Sequence, residues 1–155
     1  MNSIKPLISL PGEGHKITAN GIEIFLKAKA HQTNGQWSML EYVLPPSLPG
    51  PPPHYHKKTQ EMFYVLEGTL QFALDEKTID APAGTLVVVP ENAVHTFKNA
   101  TDFPVKFQVW FSPGGLEQYF IDVQELIQRE PSWPPSDMNK LFSLMAQHDT
   151  YQPGK

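Results

Sequence analysis

Residues 54–68 read His54-Tyr55-His56-Lys57-Lys58-Thr59-Gln60-Glu61-Met62-Phe63-Tyr64-Val65-Leu66-Glu67-Gly68. In extended chain, positions i and i+2 share a face. His54 and His56 then offer both imidazoles to one side, with their Cα atoms about 6.6 Å apart. A polar turn over 57–60 leads to Glu61, at the head of the next strand. If that strand folds back beside the first, the Glu61 carboxylate joins the same face. His95 opens a later strand and offers a third imidazole. An H-x-H pair alone is more often a surface feature than a metal site. Three neutral imidazoles and one carboxylate are a nitrogen and oxygen set. It suits divalent iron, manganese, nickel, copper or zinc, and not calcium. Such a set leaves coordination positions open on a five- or six-coordinate ion, as catalysis requires.

The flanking chain alternates in the same way. From Gly21 to Ala28, Ile22, Ile24 and Leu26 fall on one face and Glu23, Phe25 and Lys27 on the other. That is the period of a half-buried strand. Further strands are expected over Trp37–Leu44, His54–Lys57, Glu61–Leu66, Thr69–Leu74, Lys77–Asp80, Thr85–Val89, His95–Asn99 and Val105–Phe111. Turn residues separate them, as in Glu67-Gly68, Asp75-Glu76 and Pro90-Glu91-Asn92. The stretch 44–53 carries six of the 16 prolines and must be an irregular extended loop. Many short strands at close spacing read as an all-β sandwich or barrel.

After Pro113-Gly114-Gly115 the period changes. Leu116, Tyr119, Phe120, Val123 and Ile127 line one face of an amphipathic helix. Pro131 to Pro135 ends it. Ser136 or Asp137 caps a second helix, with Met138, Leu141, Phe142 and Met145 on one side. The chain is expected to be one domain over 1–155, with a barrel over about 15–112 and a helical tail over about 115–149.

Two longer patterns resemble the cupin superfamily. Gly50-x3-His54-x-His56-x4-Glu61-x6-Gly68 is similar to its first motif, and Gly84-x5-Pro90-x-Asn92-x2-His95-x3-Asn99 to its second. The gap from Gly50 to His54 is shorter than the family's. Asn92 stands where the family usually has Gly, a mild change because Asn tolerates left-handed backbone. The resemblance implies a jelly-roll barrel with His54, His56, Glu61 and His95 as metal ligands on inward faces. Counting in steps of two then points Phe63, Val65, Phe97 and Phe107 into the same interior, with Val105, Val109 and Phe111 on the last strand. Taken singly, each Phe is more often plain core than pocket wall. Together they suit an aromatic or apolar small molecule.

Cupins include dioxygenases, isomerases, decarboxylases and non-catalytic binders, so fold does not decide function. The expected reading is a metal-dependent oxygenase resembling the quercetin dioxygenase group, with Glu61 as ligand and general base. A non-oxidative metal enzyme or a binding module is the alternative. Sugar phosphates and carboxylates call for cationic groups, and the single Arg (Arg129) lies on the tail helix. Net charge is −4, which argues against nucleic acid. No apolar run reaches the about 18 residues that span a bilayer. The start, Met1 to Leu7, lacks an unbroken apolar stretch, and there are 0 Cys; a cytoplasmic protein is expected.

Weaker features have plainer readings. Pro46-Ser47-Leu48-Pro49 is a stiff loop before it is a peptide ligand, and Lys57-Lys58 a solvated turn before it is an anion guide. Phe25, opposite the buried face of its strand, suggests a homodimer. The first tail helix is expected to pack outside the barrel, and the second to cover its mouth or a partner subunit. If the second helix is a lid, deleting Pro131 to Lys155 is expected to leave the metal bound, since none of the four ligands lies there, and to weaken substrate binding; an insoluble product would place that helix in the core or a dimer interface instead.

Overall fold

The computed structural model describes residues 3–19 and 21–154. Among the described residues nine strands form: β1 His15–Ala19, β2 Ile22–Ala28, β3 Ser38–Leu44, β4 Gln60–Glu67, β5 Thr69–Leu74, β6 Lys77–Pro82, β7 Leu86–Val89, β8 His95–Lys98 and β9 Val105–Ser112. Two helices follow, α1 Glu117–Arg129 and α2 Met138–Gln147. Among the described residues the strands make a six-stranded sheet, β1-β2-β3-β9-β4-β7, and a three-stranded sheet, β6-β5-β8. Every pairing is antiparallel.

The two sheets face each other across one apolar interior. The large sheet contributes Ile24, Leu26, Leu40, Tyr42, Phe63, Val65, Val105, Phe107, Val109 and Phe111; the small one contributes Leu70, Phe72, Ala81 and Phe97. The alternation on β9 is complete: Val105, Phe107, Val109 and Phe111 are buried while Lys106, Gln108, Trp110 and Ser112 are half-exposed. Register across the sheet sets Glu61 opposite Phe111, and Phe111 opposite Ser38.

Several sequence expectations change here. β1 was not separable from the sequence, because only Ile17 of its five residues is buried and one inward residue makes no period. His54–Lys57 is not a strand of its own. It forms two isolated bridges, His54 with His95 and Tyr55 with Tyr151. Asp137 rather than Ser136 caps α2, accepting from the Asn139 amide at 3.1 Å.

The largest change concerns α1. Leu116 belongs to the core, and Phe120 and Ile121 pack against it. The Phe120 ring lies 5.8 Å from that of Tyr42 and 6.1 Å from that of Phe111, both inward residues. So α1 covers the inner face of the large sheet and does not pack outside the barrel. The small sheet is too narrow to cover six strands, and α1 closes the remainder. Two contacts fasten it. Glu117, itself buried, accepts from the Ala30 and Gly115 amides, each at 2.7 Å. Gly114 runs against Trp37, where a Cβ would meet the Trp37 carbonyl at 2.8 Å. α2 packs on α1, and the chain then returns to the barrel at Tyr55.

Candidate metal centre

His54, His56, Glu61 and His95 come together, all four buried, with one ligand atom of each within 4.8 Å of the others. β4 carries Glu61 and β8 carries His95. His54 is held beside β8 by paired backbone bonds with His95 of 3.0 and 2.9 Å. The proline-rich loop delivers it there, anchored by Thr96 Oγ1 donating to the Pro51 carbonyl at 2.5 Å. The turn of the second motif closes on the first, the Asn92 amide donating to the His56 carbonyl at 2.7 Å. Asn92 has φ 65, the left-handed backbone that Gly most readily adopts and that Asn also tolerates.

Each imidazole has one nitrogen committed. His54 Nδ1 lies 2.9 Å from the Pro52 carbonyl, His95 Nδ1 3.0 Å from the Ala93 carbonyl, and His56 Nδ1 2.9 Å from the Asp149 carbonyl. A carbonyl only accepts, so Nδ1 carries the proton and the Nε2 lone pair is what a neutral ring has left. Nε2 of His95 and of His56 lie 2.7 and 3.1 Å from the same atom, Glu61 Oε2. Imidazole lone pairs converging on a buried carboxylate oxygen form a donor set that fits a divalent transition metal. This cluster could hold such an ion.

Where no ion intervenes, a second ring proton on Nε2 turns these same contacts into hydrogen bonds to Glu61. Burial alone pushes the Glu61 carboxyl up, but the hydrogen bonds and charge of His56 and His95 outweigh it and hold it at about 2. Burial, reinforced by His95, lowers His54 to about 4, so its ring is neutral near pH 7. Burial also opposes charge on His56, yet the bond to Glu61 and its charge shift that ring upward. Beyond the four clustered residues, the Tyr42 phenol is raised well above its usual range, first by burial and then by the Glu61 charge.

Residues 40–112 match the family model described as Cupin domain. The solved structure of KdgF from Halomonas sp. superposes over 71% of this chain and 97% of its own, with a TM-score of 0.60 at 17% identity. The barrel is a cupin fold. A predicted oxalate decarboxylase from Thermotoga maritima shares the fold over 59% of this chain and 80% of its own (TM-score 0.56, 18% identity). The Streptomyces protein Pac13, a nucleoside dehydratase, shares it over 74% and 88% (TM-score 0.56, 17% identity). Among curated proteins, polyketide synthase CurC of Streptomyces cyaneus is 33% identical over 60 residues, which is 39% of each chain. The match therefore spans well under half the length of that relative.

Within the cupin barrel, the expected pocket residues lie in the buried core. Phe63, Val65 and Phe107 are fully enclosed and Phe97 nearly so. Phe63 reaches the centre, its ring 6.4 Å from that of His95, and Phe97 lies 5.5 Å from Phe63. Sequence reasoning missed Tyr42, stacked on Phe107 at 4.9 Å. It also missed Asp149 and Thr150, which reach His56 from the end of the chain. Tyr42 was legible as an inward position of β3. Asp149 carried no signal, because nothing local in the sequence says where the tail returns.

No helix among the described residues is long and apolar enough to cross a membrane.

Proposed function

We propose that this cupin is a metal-dependent enzyme of the dioxygenase type. Its substrate is an aromatic or apolar small molecule, and His54, His56, Glu61 and His95 are the ligands. The observation that carries the reading is the character of the interior. Around the four proposed ligands most inward side chains are aromatic or aliphatic, with Thr59 and Thr150 the polar ones on the His56 side, and no Lys or Arg is buried among the described residues. A phosphate or carboxylate substrate would find no buried cation to pair with, whereas a planar apolar molecule meets Phe63, Phe97, Phe107 and Tyr42.

A bound transition metal would supply Lewis acidity and a site for oxygen chemistry. The chain supplies the rest. Three histidines held by carbonyls present fixed lone pairs. Glu61 commits Oε2 to the histidine side, and its second oxygen is the proton acceptor for a substrate hydroxyl. The aromatic walls orient the substrate and exclude water.

A non-oxidative reading has one observation in its favour. Tyr42 stays protonated beside an ionised Glu61, an acid and a base on one interior face. Such a pair suits proton transfer or elimination, and a fold relative is a nucleoside dehydratase.

The homodimer and the cytoplasmic setting belong to the same proposal. The outer side of the β4–β7 edge leaves Tyr64, Leu86 and Val88 exposed, and 0 Cys leaves no disulfide to need an oxidising compartment.

The test is metal analysis of protein purified from its native host, then an oxygen electrode with a panel of phenolic compounds. Oxygen uptake matched to substrate loss supports the dioxygenase. Turnover without uptake selects the non-oxidative enzyme. Metal and tight ligand binding without turnover make the protein a binding module.

A further inference from the structure

Two of the three histidines are oriented by the chain just before them. His54 and His95 each bond the carbonyl two residues earlier, at Pro52 and at Ala93. His56 is different. Its Nδ1 partner is the carbonyl of Asp149, 93 residues away, in the segment that follows α2. Thr150 Oγ1 stands 3.4 Å from the same nitrogen.

That segment is clamped at three levels. The Asp149 carboxylate accepts from the Lys57 and Lys58 amides at 3.1 and 2.9 Å and from Thr59 Oγ1 at 2.9 Å. It thereby caps the turn between His56 and Glu61. Tyr151 pairs with Tyr55 through two backbone bonds of 2.9 Å. His148 Nε2 lies 2.7 Å from Asp122 Oδ2 on α1, holding the approach. Asp149 has φ 52, a left-handed conformation that turns its carbonyl one way and its carboxylate another. One residue therefore holds both the ring of a ligand and the loop that spaces two ligands.

We propose that the strap 149–151 is a working part of the metal centre. Asp149 is a positioning residue for His56, and docking of the strap and binding of the metal are coupled. This rests on the reading of the four-residue cluster as a metal site. With the strap docked, His56 Nδ1 holds its proton and Nε2 faces the ion. With it released, the ring can rotate or change tautomer, and the 57–59 turn loses its cap. By linkage, metal in the site must in turn hold the strap down. The expectation that the tail is dispensable for metal is thus reversed: it holds no ligand, but it orients one.

The experiment uses the full chain and Co²⁺, measured by chelator competition and by the visible bands of the bound ion. Asp149→Gly keeps the left-handed backbone and removes the carboxylate. The carbonyl that His56 meets remains but the clamp that holds it there is lost, so Co²⁺ binding should weaken, by as much as the about 10–100-fold that follows loss of an outer-sphere partner, and the visible bands should change. Asp149→Asn retains one acceptor oxygen and should fall between Asp149→Gly and wild type. Val105→Ala serves as the control. It destabilises the far end of β9 from Phe111 and Glu61 and should leave affinity unchanged at temperatures where it is folded. In the wild-type chain, the Tyr151 amide should exchange more slowly once Co²⁺ is added.

If both Asp149 variants bind Co²⁺ as tightly as wild type with unchanged bands, the strap is only structural and the proposal fails. The same holds if Tyr151 exchange ignores the metal. If the wild-type chain itself binds no Co²⁺, the metal reading falls and takes this inference with it.

Discussion

Gly50 lies so close to Phe97 that a Cβ on it would stand 1.5 Å from the Phe97 carbonyl oxygen. The loop that brings His54 to the centre is pressed directly onto β8, the strand that carries His95. A side chain at residue 50 would force the two apart. Gly50→Ala should therefore cost at least about 3 kcal/mol, the upper range for overpacking. That corresponds to about 6 °C or more in melting temperature for a chain of this size. A variant melting within about 2 °C of wild type would show that the loop can move away freely.

Replacing His56 with Ala removes one proposed ligand and leaves the others in place. Metal affinity should drop by more than about 100-fold, beyond the range seen for outer-sphere partners. The metal-dependent part of the melting temperature should vanish with it. At 100-fold excess over Kd that part is about 2.7 kcal/mol. Elemental analysis showing one ion per chain in His56→Ala would refute the assignment.

Asn99 closes the second motif. It is buried, and its Nδ2 faces the carbonyls of Leu44, Pro45 and Phe103 at 3.3, 2.9 and 2.7 Å. Its Oδ1 accepts from the Thr101 amide and hydroxyl at 3.0 and 2.7 Å. Asn99→Ala strands these groups, at about 1–3 kcal/mol for each one left unsatisfied and dry. The urea midpoint should fall clearly. Asn99→Asp should fall at least as far, because a carboxylate has no N–H to donate to these carbonyls. Equal midpoints for wild type and both variants would mean that water replaces the side chain.

Light scattering at micromolar concentration should give about twice 17.5 kDa. Phe25, which first suggested a partner, is partly covered by its own chain: Lys16 Nζ sits 5.4 Å from the ring centre. The better surface is the β4–β7 edge, where Tyr64 is 38%, Leu86 60% and Val88 48% exposed, with Tyr64 directly opposite Leu86. Leu86→Glu should halve the scattering mass. A wild-type mass near that of one chain would rule out the dimer.

Alternation and spacing determined a good deal of this protein. Period-two patterning located most of the strands, since one buried face prescribes which residues point inward. It also set Phe63 on the face of Glu61, while the resemblance to the cupin motifs is what put His54, Glu61 and His95 on inward faces. Asn92 was readable as a left-handed turn residue because it stands where the similar motif has Gly, and Asn tolerates that backbone. Only the tertiary structure decided where the tail goes. An amphipathic helix announces that it needs a partner but not which one, and α1 found its surface on the inner face of the large sheet. Asp149 meets His56 across 93 residues of chain. No local pattern encodes that contact, because it depends on the summed paths of two helices and the loop between them.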